Sequence, residues 1–94
     1  MAKVIWTANA VDDLEQIAKF IERDSVHYAR AVVSRLYNAV GRLARFPPSG
    51  RQVPEVDDPS MREVIADGYR IIYCVLESKV FMLTVVHGRR ELIS

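Results

Sequence analysis

Apolar residues at Ala10, Val11, Leu14, Ile17, Ala18 and Ile21 recur at three- and four-residue steps, the spacing of one buried helix stripe. Thr7 or Asn9 can cap that helix, and it should end near Arg23. Asp12 and Asp13 are expected in its first turn, where carboxylates suit the helix dipole. Phe20 falls off the stripe, so it is either partly exposed or the edge of a second contact surface. Ser25 can cap a second, longer helix with Ala29, Val32, Val33, Leu36, Val40 and Leu43 on its buried face. Phe46-Pro47-Pro48 ends it, because proline disfavours helical geometry in the residue before it and cannot continue the hydrogen-bond ladder. Two helices joined so closely should pack as an antiparallel hairpin.

Ahead of the helices, residues 4–6 (VIW) form a short apolar run suited to a strand, with Trp6 as a core anchor. Residues 47–60 are rich in Pro, Ser, Asp and Gly, have no period, and read as a surface loop. The pattern then changes to strand 61–66, the tight-turn pair Asp67-Gly68, strand 69–76, the turn Glu77-Ser78-Lys79, and strand 80–88. The last two strands are apolar on both faces, which places them centrally in a sheet. The expected fold is therefore α+β, ordered β-α-α-β-β-β, an antiparallel sheet with an N-terminal helical hairpin packed on one face. Residues 1–94 suffice for a single domain.

Half the residues are hydrophobic and 27% are charged, a globular profile rather than a disordered one. The N-terminal residues lack a signal peptide's apolar stretch and no run reaches membrane-spanning length, so a cytoplasmic protein without membrane contact is expected. The lone Cys74 fits a reducing compartment and reads as core filler. The net charge of +1 says little, but its distribution says more. No Asp or Glu lies between Asp24 and Glu55, a window holding Arg30, Arg35, Arg42, Arg45 and Arg51. Four of these fall on the exposed side of the second helix, either as a solvated face or as a surface for an anionic partner.

Arg70 is the residue of most chemical interest, a charge inside an apolar central strand. Such a charge needs a partner or a position at the mouth of a site. A salt bridge to Glu63 across the hairpin and a functional role are both open. His87 ends the third strand of the meander, and antiparallel pairing brings it near Tyr69. Tyr69, Arg70 and His87 would then gather at one end of the sheet, with Arg62 nearby and Arg89-Arg90 following. A histidine, a tyrosine and several arginines are parts for metal-free RNA cleavage, and equally for binding nucleic acid or an acidic surface without chemistry. His27, His87 and Cys74 are too far apart for metal-ligand spacing, and no cofactor-binding motif is present, so neither a metal nor a cofactor is expected.

Over nearly its whole length the chain resembles the toxins of type II toxin–antitoxin modules, in the superfamily of ParE-like and RelE-like toxins. The resemblance is carried by Trp6-Thr7 with Ala10 and Asp13-Leu14, and by Leu43 with Phe46-Pro47. It continues through Gly50-Arg51, Val53-Pro54-Glu55, Arg62-Glu63, Tyr69-Arg70-Ile71 with Tyr73, and Val86-His87-Gly88-Arg89-Arg90. It implies the same β-α-α-β-β-β fold and a small toxin neutralised by a cognate antitoxin, with operator DNA bound only through that antitoxin. The target implied is DNA gyrase for ParE-like members and mRNA on the ribosome for RelE-like ones.

RelE-like enzymes typically carry several basic residues on the strand before the tyrosine–arginine pair, and often a tyrosine near the C-terminus. Here only Arg62 is basic on that strand, and no tyrosine follows Arg90. The favoured expectation is a ParE-like gyrase inhibitor, with Arg51, Arg62, Tyr69 and Arg89 as target- or nucleic-acid-binding residues. In the RelE-like alternative Arg70, His87 and Arg90 are catalytic and need no metal. A third expectation is an inactive family member that only binds antitoxin.

Overall fold

A computed structural model describes residues 1–89. The elements are β1 (Lys3–Trp6), α1 (Ala8–Glu22), α2 (Val26–Leu43), a 3₁₀ turn (Pro47–Ser49), β2 (Arg51–Gln52), β3 (Met61–Ala66), β4 (Tyr69–Leu76) and β5 (Lys79–His87). They form one five-stranded sheet in the order β1-β5-β4-β3-β2 with the helical hairpin on one face. The α+β reading holds with two refinements. The sheet is mixed, because β1 runs parallel to β5 at the edge. The stretch expected to be only a loop contains the 3₁₀ turn and the two-residue β2, which pairs antiparallel with β3. Gly50 permits this, since a Cβ there would sit 2.5 Å from both the Glu63 carbonyl and the Tyr73 hydroxyl.

Helix α1 starts at Ala8, so Asp12 and Asp13 lie in its second turn, not its first. The cap is Thr7, whose Oγ1 accepts from the Ala10 amide. Its hydroxyl also donates to the Met82 carbonyl at 2.6 Å. This second bond meets a β-bulge in β5, where Ile72 pairs Thr84 but Tyr73 pairs Met82, leaving Leu83 as the extra residue. A bulge leaves backbone groups outside the ladder. Here α1 supplies their partners. Asn9 donates to the Leu83 carbonyl at 3.0 Å, and the Asp13 carboxylate accepts from the Val85 amide at 2.9 Å and from the Thr84 hydroxyl. The polar residues of α1 thus fix where the helix lands on the sheet.

Ser25 caps α2 as expected, and Ala29, Val32, Leu36, Ala39, Val40 and Leu43 are buried. Val33, expected with them, is half-buried, and Ala39 takes the inward place. Val32, Leu36, Ala39, Val40 and Leu43 pack with Ile71, Tyr73, Val80, Met82 and Val85 to form the main core. Trp6 packs against this core and stacks on Tyr37 with ring centroids 5.7 Å apart. Strand alternation sends Tyr69, Ile71 and Tyr73 toward the helices and Arg70, Ile72 and Cys74 to the other face. No described helix is long and apolar enough to cross a membrane.

Candidate functional site

Arg70 lies on the far face of β4 and is only 4% exposed. Glu63 is on the neighbouring strand β3, opposite Ile72, so its side chain shares that face two positions away. The Arg70 Nε donates to Glu63 Oε1 at 2.8 Å. Glu55 reaches the same guanidinium from the segment between β2 and β3, with Nη1 and Nη2 each donating to one carboxylate oxygen at 2.7 Å. Arg51 adds a second cation to Glu63 through its Nε at 2.6 Å. Two arginines and two glutamates therefore form one balanced cluster, and no described buried side-chain polar atom is left without a partner.

The hydrogen bonds that Arg70 donates to Glu55, foremost, and to Glu63 raise its pKa against the opposing effect of burial. The guanidinium is permanently charged and fully occupied. Sequence reasoning foresaw the Glu63 contact but missed Glu55 as its partner. The signal available was a carboxylate directly after Val53-Pro54, with the buried Val53 anchoring the segment against the sheet.

His87 and Tyr69 occupy the other face. They are direct cross-strand partners, and their rings meet edge to face with centroids 6.0 Å apart. His87 Nδ1 accepts from the Arg89 amide at 3.3 Å. A pocket of about 180 Å³ opens here, lined by Ile21, Tyr28, Val32, Tyr69 and His87. Gly88 closes the end of the strand, donating to the Gly68 carbonyl at 2.8 Å. A Cβ on Gly88 would come within 2.7 Å of that same oxygen. Arg35 ties α2 to this corner through Asp67, at 3.0 Å.

The structure thus divides the residues expected to gather. Tyr69 and His87 meet, with the exposed Arg89 beside them. Arg70 is adjacent in sequence but projects from the opposite face, because successive strand residues alternate. Arg62 is not close to them. It pairs with Tyr73, toward the other end of β4, and its Nη1 donates to the carbonyls of Gly50 at 2.9 Å and Pro48 at 3.3 Å. Arg51 is committed to Glu63. Arg90 lies outside the described residues. Among the described residues, no group of three or more His, Cys, Asp and Glu could hold a metal ion.

Comparison with known proteins places this geometry in a family. The family described as "ParE toxin of type II toxin-antitoxin system, parDE" matches residues 4–92. The chain belongs to that family. Among its relatives, the toxin Y4kP of Sinorhizobium fredii is 35% identical over 89 residues, covering 95% of this chain and 91% of its own. Toxin RelE2 of Caulobacter vibrioides is 33% identical over 91 residues, covering 96% of this chain and 99% of its own. In fold, the ParE-family chain is similar to a solved structure of the chromosomal ParDE TA system from P. aeruginosa. That match has a TM-score of 0.77 at 19% identity and covers 93% of this chain and 96% of the other. The chain is therefore a type II toxin of the RelE/ParE superfamily.

Proposed function

We propose that this toxin acts by binding DNA gyrase and blocking its activity, and not by cutting RNA. The state of Arg70 carries this reading. RNA cleavage without a metal needs a cation held open to the developing phosphorane charge, near a group that moves the 2′-OH proton. The guanidinium of Arg70 is buried and its charge is balanced by Glu55 and Glu63. His87, the residue type suited to proton transfer, lies across the sheet from it with Tyr69. A phosphate that reached His87 would find Arg70 on the wrong face. What remains at the His87 corner is a pocket with aromatic walls and an exposed arginine, which suits contact with a protein surface.

A cognate antitoxin is part of the same reading. The P. aeruginosa structure is of a ParDE TA system, and the family is that of parDE modules. Neutralisation by an antitoxin chain follows for this toxin by that likeness. The target is tested by two readouts on the same purified toxin. Gyrase supercoiling should stop on titration with toxin and recover when antitoxin is added, while mRNA in a translating extract stays whole. Cut message, with cutting lost in His87→Ala, would reverse the assignment in favour of the ribosome.

A further inference from the structure

The pocket beside His87 has walls that are held in place. Tyr28 stands on one side, in the first turn of α2, where its amide donates to the capping Ser25 Oγ at 3.0 Å. The β3–β4 turn forms another side. Arg35 holds that turn by two bonds, from Nε and Nη2 to the two Asp67 carboxylate oxygens at 3.0 and 3.3 Å. The Gly88 amide on the Gly68 carbonyl pins the end of β5, and His87 with it, to the same turn. A site whose walls are already fixed loses little freedom when a partner enters.

The lining joins apolar and polar parts. Val32 is buried and Ile21 half-buried, whereas Tyr28 is 53% exposed and Tyr69 meets His87 edge to face. Three rings therefore border one space. Among the described residues the hydroxyls of Tyr28 and Tyr69 have no hydrogen-bond partner, although that of Tyr73, on the same strand as Tyr69, has two. The volume sets the size of an occupant. A cavity of about 150 Å³ holds benzene. The pocket, at about 180 Å³, admits one six-membered ring and little more.

We propose that this pocket receives one tyrosine side chain from the surface of gyrase, its ring against Tyr28, Tyr69 and His87 and its hydroxyl paired with theirs. This anchoring rests on the gyrase reading and is the contact that holds the toxin to its target. Rings gain from edge-to-face and offset contacts with one another beyond the area they bury. A phenylalanine or leucine would cover the two hydroxyls and leave them unpaired, which weakens binding. A carboxylate or phosphate would pair with the hydroxyls but leave Val32 and Ile21 without an apolar partner. A phenol both donates and accepts, so it fills the space and satisfies its polar groups together. Aromatic anchors seated in desolvated pockets are where interfaces concentrate their affinity.

The experiment has two arms, both on the full-length toxin. In the first, isotope-labelled toxin is titrated with p-cresol, toluene and inorganic phosphate and followed by NMR. Millimolar p-cresol should move the amide signals of Gly68, Tyr69 and Gly88, with toluene binding about three- to tenfold more weakly. In the second, affinity for gyrase is measured by surface plasmon resonance. Tyr28→Ala should lose about thirtyfold or more, with an unchanged circular dichroism spectrum. Tyr69→Phe should lose about three- to tenfold, and its preference for p-cresol over toluene should shrink. Phe46→Ala removes a ring that is 68% exposed elsewhere on the surface and should change nothing. Toluene bound as well as p-cresol, no p-cresol shift at these amides, or phosphate shifting them more strongly would each overturn the tyrosine. Gyrase bound equally by wild type and Tyr28→Ala would overturn the pocket as the anchor and leave the gyrase reading standing. Gyrase left unbound by the wild type would overturn both.

Discussion

Arg70 Nε donates to Glu63 Oε1 at 2.8 Å across the β3–β4 hairpin, with both side chains almost wholly buried. Glu55 closes the far side of the same guanidinium from the β2–β3 connection. To reach β4 that connection must cross over β3, so the ion pair clamps an otherwise irregular segment across the face that the helices leave uncovered.

Breaking the clamp from one side should cost far more than removing it. Arg70→Ala removes the buried cation shared by Glu63 and the partly buried Glu55 and should lose about 3–5 kcal/mol in urea unfolding. The double change Arg70→Met with Glu63→Leu should recover much of that, since apolar side chains of similar volume can replace a buried pair. A single Arg70→Ala loss below about 1 kcal/mol would mean that water already reaches the cluster.

Asp13 should matter as an anchor and not as a helix-dipole residue. Asp13→Ala leaves the bulge amide of Val85 without its acceptor and should cost about 1.5–3 kcal/mol. Hydrogen exchange is the sharper measurement. The Val85 amide should exchange faster in the variant, while amides in the β3–β4 ladder keep their protection.

Tyr73 predicts a pH dependence. Burial raises the phenol above its ordinary value of 10.0. As the pH passes 10.0 the unfolded chain loses this proton first, so the folded state binds more protons and stability falls with rising pH. Tyr73→Phe lacks this loss but leaves the Gly50 amide and Pro47 carbonyl unpaired, at a cost of about 1–3 kcal/mol near neutrality. The stability gap between wild type and variant should therefore narrow from pH 8 to 11, as read from urea midpoints. A gap constant over that range would contradict the raised phenol.

The β4–β5 turn holds Glu77 and Ser78 at φ of 49° and 63°, in left-handed geometry that disfavours side chains. The corresponding β3–β4 turn uses Asp67-Gly68 at 54° and 84° and has glycine where it helps. Ser78→Gly should stabilise the protein by about 0.5–1 kcal/mol and raise the melting temperature by a few degrees. Calorimetry on the single variant is enough to test this.

Much of the fold was legible in the residue pattern. The helix stripes, Ser25 as one cap and Thr7 or Asn9 as the other, Phe46-Pro47-Pro48 as a stop, and Asp67-Gly68 as a hairpin turn each act within a few residues of themselves. The register that pairs Tyr69 with His87 was legible too, because a short turn leaves antiparallel strands little freedom. The parallel edge pairing of β1 was not, since it joins Lys3 to Lys79 across most of the chain. Nor was the β5 bulge, whose extra Leu83 is accommodated by side chains of α1 far away in sequence.

The candidate site divides in the same way. By itself the sequence determined which residue types end up near the hairpin, and Arg70 had to find a counter-charge because an apolar strand offers none. Only the tertiary structure decided that the counter-charge would be double, and that Glu55 would supply half of it from an aperiodic segment. Once Tyr69 pairs with His87, strand alternation by itself sends Arg70 to the other face. Local periodicity reports which way a side chain points along its own element. It carries no information about which distant segment folds over that face, and here that segment determines whether the arginine is available for chemistry or already spoken for.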